Sequence, residues 1–153
     1  MTYVAVCGPG VATAEEERLA EEVGRRLAEA GAIVLCGGTT GAMEAVSRGA
    51  AGAGGTVVGI LPGLDRAEGN PHLTVAIPTG LGEMRNALLV RAADVVIAIA
   101  GELGTLSEIA FALKIGTPVV GLHTWEPARR GARIEEIRRA ADPAEAVALA
   151  LRS

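Results

Sequence analysis

At 153 residues, half of them hydrophobic but only Tyr3, Phe111 and Trp125 aromatic, the chain has the length of one domain with an aliphatic core. A formal net charge of −4 and so few rings argue against nucleic acid as a partner, since that needs a basic face or a stacking platform. No apolar run approaches the ~20 residues of a membrane span, and the start lacks a signal-peptide pattern, so a cytoplasmic protein without a membrane partner is expected.

Thr2 to Cys7 reads as a buried strand closed by Gly8-Pro9-Gly10. Thr13 and Glu16 form a capping-box pair, and Leu19, Ala20, Val23 and Leu27 recur at helical spacing, which predicts a helix from about Ala14 to Ala30. Ala32 to Cys36 is a second strand, followed by Gly37-Gly38-Thr39-Thr40-Gly41 and a helix over Ala42 to Ala53. Small residues cover that helix on nearly every side, which suits close packing on the sheet and on another subunit. Thr56 to Leu61 is a third strand, Leu64 to His72 a surface loop, and Leu73 to Ile77 a fourth strand. Pro78-Thr79-Gly80 turns into a helix from about Leu81 to Ala92.

Asp94 to Ala100 is a fifth strand, wholly apolar after its first residue, and Gly101 to Gly104 a glycine-broken turn. A helix opens at Thr105, its N-cap, carries Glu108 in its first turn and ends near Lys114 to Gly116. Thr117 to Leu122 is a sixth strand; Ile134 to Arg139 suits an edge strand or a helix; Asp142-Pro143 with Glu145 starts a last helix.

Strands alternating with helices, and apolar on both faces, predict an α/β fold of three layers with a mostly parallel sheet of about six to seven strands. Ligands of such sheets bind at the carboxyl ends of the strands, where every glycine cluster falls. A strand running through a glycine turn into a helix start is a phosphate site, because unpaired N–H groups and the helix dipole favour an anion. The dinucleotide reading fails: Gly8-Pro9-Gly10-Val11-Ala12-Thr13 lacks the third glycine, and no acid lies between Ala30 and Ala42 to hold a ribose. No GxxxxGK[ST] occurs, and Lys114 is the only lysine, so a P-loop nucleotide hydrolase is excluded as well. Cys7 and Cys36 end the first two strands and are read as buried small hydrophobes, with a redox pair of near neighbours as the lesser alternative.

Gly37-Gly38-Thr39-Thr40-Gly41-Ala42-Met43-Glu44, then Gly54 to Pro62, Arg85-Asn86 and Gly101 to Glu108 together resemble the LOG ("lysine decarboxylase-like") family in the right order over residues 2 to about 122. The short chain, the Arg-Asn pair and the GTLSE wording look closer to its molybdenum-cofactor-carrier-like branch. The resemblance implies a Rossmann-like homodimer that binds a nucleoside 5′-monophosphate or similar phosphorylated molecule, a pterin such as molybdenum cofactor included, with no cofactor or metal of its own. It carries binding onto Gly8, Gly37, Gly38, Thr39, Gly41, Gly101, Gly104 and Thr105, and onto Met43, whose position also suits the core. In the hydrolases of the family, residues matching Arg85 and Glu108 serve cleavage of the N-glycosidic bond to base and ribose 5-phosphate. Two departures subtract positive potential: Glu102 stands where the family's PGGxGTxxE signature has its second glycine, and Asn86 where its Arg-Lys pair has lysine. Three readings therefore follow: a phosphoribohydrolase, a non-catalytic carrier or sensor, and an interaction module with a vestigial pocket. Isolated His72 and His123 read as structural, and Trp125 suits either a pocket rim or an interface.

Overall fold

Apolar runs with β-branched residues form strands, and the glycines between them release the chain into helices. The computed structural model describes residues 1–153. Its strands are β1 (Tyr3–Cys7), β2 (Ile33–Cys36), β3 (Val57–Leu61), β4 (Val75–Pro78), β5 (Val95–Ile99), β6 (Val119–Leu122), β7 (Ala128–Arg129), β8 (Ala132–Arg133) and β9 (Ile137–Ala140). Its α-helices are α1 (Ala14–Glu29), α2 (Ala42–Gly52), α3 (Arg85–Arg91), α4 (Leu103–Ile115) and α5 (Pro143–Leu151). Seven strands pair in the order β4-β3-β2-β1-β5-β6-β9, all parallel, while β7 and β8 form a separate antiparallel hairpin. The three-layer parallel architecture expected from the alternation of elements is the one observed.

One core cluster joins the sheet to α1, α2 and α5 through Leu19, Val23, Leu27, Val46 and Val147. The other joins its opposite face to α3 and α4 through Leu89, Val90, Ile109 and Ala112. Strand β5 is buried at every position, which explains its unbroken apolar run. No helix is long and apolar enough to cross a membrane.

The small residues of α2 have a partner within the chain. A Cβ added to Gly24 of α1 would stand closer than 3.0 Å to the carbonyl oxygen of Val46, and one added to Gly49 of α2 closer than that to the carbonyl of Glu21. The two helices cross with backbone nearly on backbone, so α2 is small because α1 lies against it. Capping fixes where α1 starts: Thr13 Oγ1 accepts the Glu16 N–H at 3.1 Å, and Glu16 Oε1 accepts the Thr13 N–H at 3.3 Å. Thr13→Ala is expected to cost about 1 kcal/mol, read from the midpoint of urea denaturation at unchanged slope.

Two expectations are corrected and two open readings are decided. The helix expected from Leu81 is a 3-10 turn over Gly82–Met84 followed by α3, because Gly80 (φ 66°) and Gly82 (φ 59°) adopt left-handed backbone that no α-helix contains. Helix α4 starts two residues before Thr105: Glu102 is extended and forms the cap, so Thr105 is the third helical residue and Glu108 lies in the second turn. The ambiguous segment ends as strand β9, pairing Ile137 with Val119 and Ala140 with Leu122. Cys7 and Cys36 are not a pair. Ala5 aligns with Leu35, so Cys36 lies beside Val6, and the two thiols point to opposite faces of the sheet. Both are free and buried.

Candidate functional site

Strands β1 to β4 step outward in one direction and β5, β6 and β9 in the other, so the strand order reverses between β1 and β5. Open α/β sheets bind ligands in the crevice at that reversal. Three turns converge on it, after β1, β2 and β5.

The starts of the helices differ in a way that bears on anion binding. Those of α1 and α5 are closed by their own side chains, Thr13 and Asp142. Those of α2 and α4 have Gly41 and Glu102 as caps and no side-chain cap bond. The Ala42 N–H of α2 is taken by the Pro9 carbonyl at 2.9 Å, and the other first-turn N–H groups of these two helix starts have no side-chain cap to compete with an anion. The closed start of α1, directly after the β1 turn, agrees with the absence of a dinucleotide fingerprint there.

The β2 turn is assembled around Arg85, the first residue of α3. Its Nε donates to the Ile60 carbonyl at 3.0 Å, Nη2 to the Gly37 carbonyl at 3.4 Å, and Nη1 to the Asn86 side-chain oxygen. Nη2 also donates to the Met43 sulfur at 3.9 Å, so of five N–H donors one, on Nη1, is left over. Asn86, where the family has lysine, thus orients the arginine. Gly37 leaves room for the site's own side chains: a Cβ there would lie 2.5 Å from Met43 Sδ and 2.7 Å from Arg85 Nη2 and would push both aside. Met43 packs against the core, and its sulfur accepts the Thr39 hydroxyl at 3.4 Å. Gly38 and Gly41 hold left-handed backbone, at φ 76° and 65°. Gly8 closes the β1 side, 2.7 Å from Ala42 Cβ for any added Cβ.

Asn70 locks the turn from the loop. Its N–H donates to the Gly38 carbonyl at 2.9 Å, and its amide nitrogen to the Thr39 carbonyl and the Ser47 hydroxyl, each at 3.2 Å. Nothing in a single polar loop residue signalled this role, beyond its place before Pro71.

In the β5 turn, Gly101 (φ 106°) would drive a Cβ into Thr105, whose side chain is buried over it. Gly104 faces open space instead. Its missing side chain leaves room for a ligand at the helix start. The preceding Ala100 holds φ 46°, fixed by the Thr124 hydroxyl donating to its carbonyl.

Glu108 comes off the second turn of α4 and is only 9% exposed, with Oε2 wholly buried and unpartnered. Burial raises its pKa above the ordinary 4.5, while the Cys7 thiol beside it and the charge of Arg85 pull it down. Burial also raises Cys7 well above the usual thiol range, with Glu108 adding to the shift. Cys7 is thus an inert thiol that belongs to this site, a neighbour the alternation of β1 did not reveal. Arg85 and Glu108 share the same face of the sheet without forming an ion pair, so the arginine is not spent on the carboxylate.

A stability prediction follows from Glu108. A carboxyl whose pKa is raised by folding supports the fold fully below about pH 4.5 and loses that support as pH rises through its folded value. Glu108→Gln is therefore expected to raise the melting temperature at pH 7, with the gain shrinking as pH falls to 4.5. A gain that is constant with pH would contradict this account.

The structure brings Gly8, Gly37, Gly38, Thr39, Gly41, Met43 and Arg85 into one cluster, and Gly101, Gly104, Thr105 and Glu108 into the wall beside it. A model of the SLOG cluster4 family matches residues 1–147. The rice (Oryza sativa subsp. japonica) protein "Probable cytokinin riboside 5′-monophosphate phosphoribohydrolase LOGL5" is 38% identical over 93 residues, which are 59% of this chain and 38% of the rice protein. Among solved structures, the molybdenum cofactor binding protein of Rippkaea orientalis superposes with a TM-score of 0.88 at 34% identity, over 97% of this chain and 94% of that one. The Moco carrier protein of Chlamydomonas reinhardtii gives 0.88 at 34% identity, over 99% and 96%.

Proposed function

Because the chain belongs to the SLOG cluster4 family, on the Moco-carrier-like branch of the LOG-like proteins, we propose that it binds a nucleoside 5′-monophosphate-like phosphorylated molecule at the carboxyl ends of its strands and cleaves its N-glycosidic bond. The observation that carries the binding is the pair of helix starts without side-chain caps, α2 and α4, beside an arginine that keeps one N–H donor free. An anion there meets N–H donors, helix dipoles and a guanidinium in fixed positions.

Hydrolysis of an N-glycosidic bond passes through an oxocarbenium-like transition state, which a carboxylate lowers electrostatically; water adds its oxygen to C1′ and the base leaves with a proton. Glu108 is the carboxylate for this role. It sits one turn beyond the α4 start, where a ribose attached to the bound phosphate would lie. The charged form does this work, so turnover is expected to fall on acidification at a pH above the ordinary carboxylate value, following the raised pKa of Glu108.

One observation favours a second reading, a carrier that holds a phosphorylated pterin without turning it over: Glu108 is nine-tenths buried, with its inner oxygen unpartnered. The likeness to two proteins named for molybdenum cofactor points the same way. Incubation with a panel of nucleoside 5′-monophosphates, followed by chromatography for free base and ribose 5-phosphate, separates the two. Base release that is lost in Glu108→Gln supports the hydrolase. Binding by thermal shift with no base released from any monophosphate rejects it and leaves the carrier.

The protomer is proposed to be a single unit that pairs through the β4 edge and α3. Val75 and Ile77 on that edge, with Leu81, Met84 and Leu88 beside Arg85, are large hydrophobics left exposed. Of the two small-residue helices behind the expected dimer, Ala42 to Ala53 and Leu81 to Ala92, this surface keeps the second and adds the strand edge beside it. Sedimentation that gives a monomer at micromolar concentration would reject it.

A further inference from the structure

Against the α4 start lies a cleft of about 560 Å³ that includes Glu16, Glu102, His123, Trp125 and Glu126. It is continuous with a smaller cavity of about 170 Å³ that shares His123, Trp125 and Glu126 and runs on toward β9. We propose that this cleft holds the heterocycle of the ligand, and that Glu102 selects heterocycles presenting a 2-amino-oxopyrimidine edge, the shared chemistry of guanine and pterins. The inference rests on the reading of a phosphorylated heterocyclic ligand and deepens it.

The carboxylates of the cleft are not equivalent. Glu16 is engaged in the α1 capping box, accepting the Thr13 N–H. Glu126 is paired with Arg139 at 2.7 Å. Glu102 alone has no partner: it caps no N–H of α4 and joins no ion pair, yet it stands at the very start of that helix, on the wall of the cleft. A free carboxylate beside an anion site costs electrostatic potential, so a ligand that rewards it explains its presence. Two adjacent donors, a ring N–H and an exocyclic amine, fit a carboxylate in bidentate fashion. Guanine and pterins present that pair next to a carbonyl. Adenine presents a ring acceptor beside its amine, which sets lone pair against carboxylate.

The remaining walls suit such a ring. Trp125 is the only tryptophan, about a third exposed, and is held at the rim by its indole N–H donating to the Glu102 carbonyl at 3.1 Å. Indole offers a flat apolar surface for a ring to stack on. His123, held at φ 51° at the end of β6, lines the same cleft and supplies a ring N–H for the heterocycle's carbonyl. A cleft with acceptor, donor and stacking surface has the inverse pattern of that edge.

The test is calorimetric titration of the full chain with guanosine, inosine and adenosine 5′-monophosphates, neopterin monophosphate and ribose 5-phosphate, with Trp125 fluorescence recorded for the purine nucleotides. At least tenfold tighter binding of the guanosine nucleotide or of the pterin than of the adenosine nucleotide is expected, with Trp125 quenched by the purines that bind. Whichever of the two binds tighter identifies the source of the edge. Inosine, which lacks the amine, is expected to lose most of the advantage, and Glu102→Gln to bring the guanosine-to-adenosine ratio within threefold. Equal affinities in the wild type, or a ratio unmoved by Glu102→Gln, overturn the inference while leaving phosphate binding intact. Failure of ribose 5-phosphate and of every heterocycle to bind overturns both.

Discussion

Arg85→Ala is expected to weaken binding of ribose 5-phosphate by about 10- to 150-fold, the equivalent of one lost hydrogen bond to a charged group at ~1.5–3 kcal/mol. The estimate follows from donor accounting. Four of the five N–H groups serve the protein, on the Ile60 and Gly37 carbonyls, the Asn86 side-chain oxygen and the Met43 sulfur, and one on Nη1 remains. Arg85→Lys is expected to restore little of the affinity. An ammonium is a point charge and cannot reach two strand-end carbonyls and a phosphate in one plane. The alanine variant also leaves the Gly37 and Ile60 carbonyls unpartnered, so some loss of stability accompanies the loss of affinity. Asn86→Ala separates the two effects. It frees the guanidinium without removing its charge, and a loss of several-fold in affinity at nearly wild-type stability is expected. Titration calorimetry beside thermal melts reads both quantities. Arg85→Ala binding within threefold of wild type would remove the arginine from the site.

How far the sequence could be read depended on whether an interaction was local. The buried strands announce themselves as apolar runs between glycines, and the α1 cap lies within four residues, so both were legible. The start of α4 was misread because Thr105 after Gly104 looks like a cap, whereas the φ of 106° at Gly101 and the extended Glu102 start the helix sooner. Hairpin β7–β8 was not read at all. Its strands are two exposed residues each, with no apolar alternation to mark them. The thiols are the buried small hydrophobes expected, and the lesser alternative of a redox pair fails for a register reason: equivalent strand ends do not imply equal phase, and a one-residue offset sends Cys7 and Cys36 to opposite faces. At the site, Arg85 and Glu108 came from motif resemblance. Their surroundings, Cys7, Asn70 and the role of Asn86, come largely from contacts between residues far apart in the chain, such as Arg85 with Gly37, 48 residues away, which no local pattern encodes.

The α1–α2 contact decides whether the second helix start stays where the ligand needs it, and it makes a sharp prediction. Gly49→Ala and Gly52→Ala, the same change three residues apart on one helix, are expected to have opposite signs. At Gly52 an added Cβ meets nothing within 4 Å, so alanine's better helix propensity and the stiffer unfolded chain stabilise by ~0.4–1 kcal/mol. At Gly49 the same carbon would lie 2.7 Å from the Glu21 carbonyl carbon and nearer still to its oxygen. The obstacle is backbone, so no side-chain rotation relieves it and α1 must move off α2. Overpacking of this kind costs ~1–3 kcal/mol or more, exceeding the propensity gain, and a net loss of about 2 kcal/mol lowers the melting temperature by about 4–8 °C in a chain of this size. Gly24→Ala meets the Val46 carbonyl across the same contact. Once either alanine has parted the helices the other costs little, so the double variant is expected to lose clearly less than the sum of the singles. Fully additive losses would mean that the two glycines relieve separate contacts rather than one close approach.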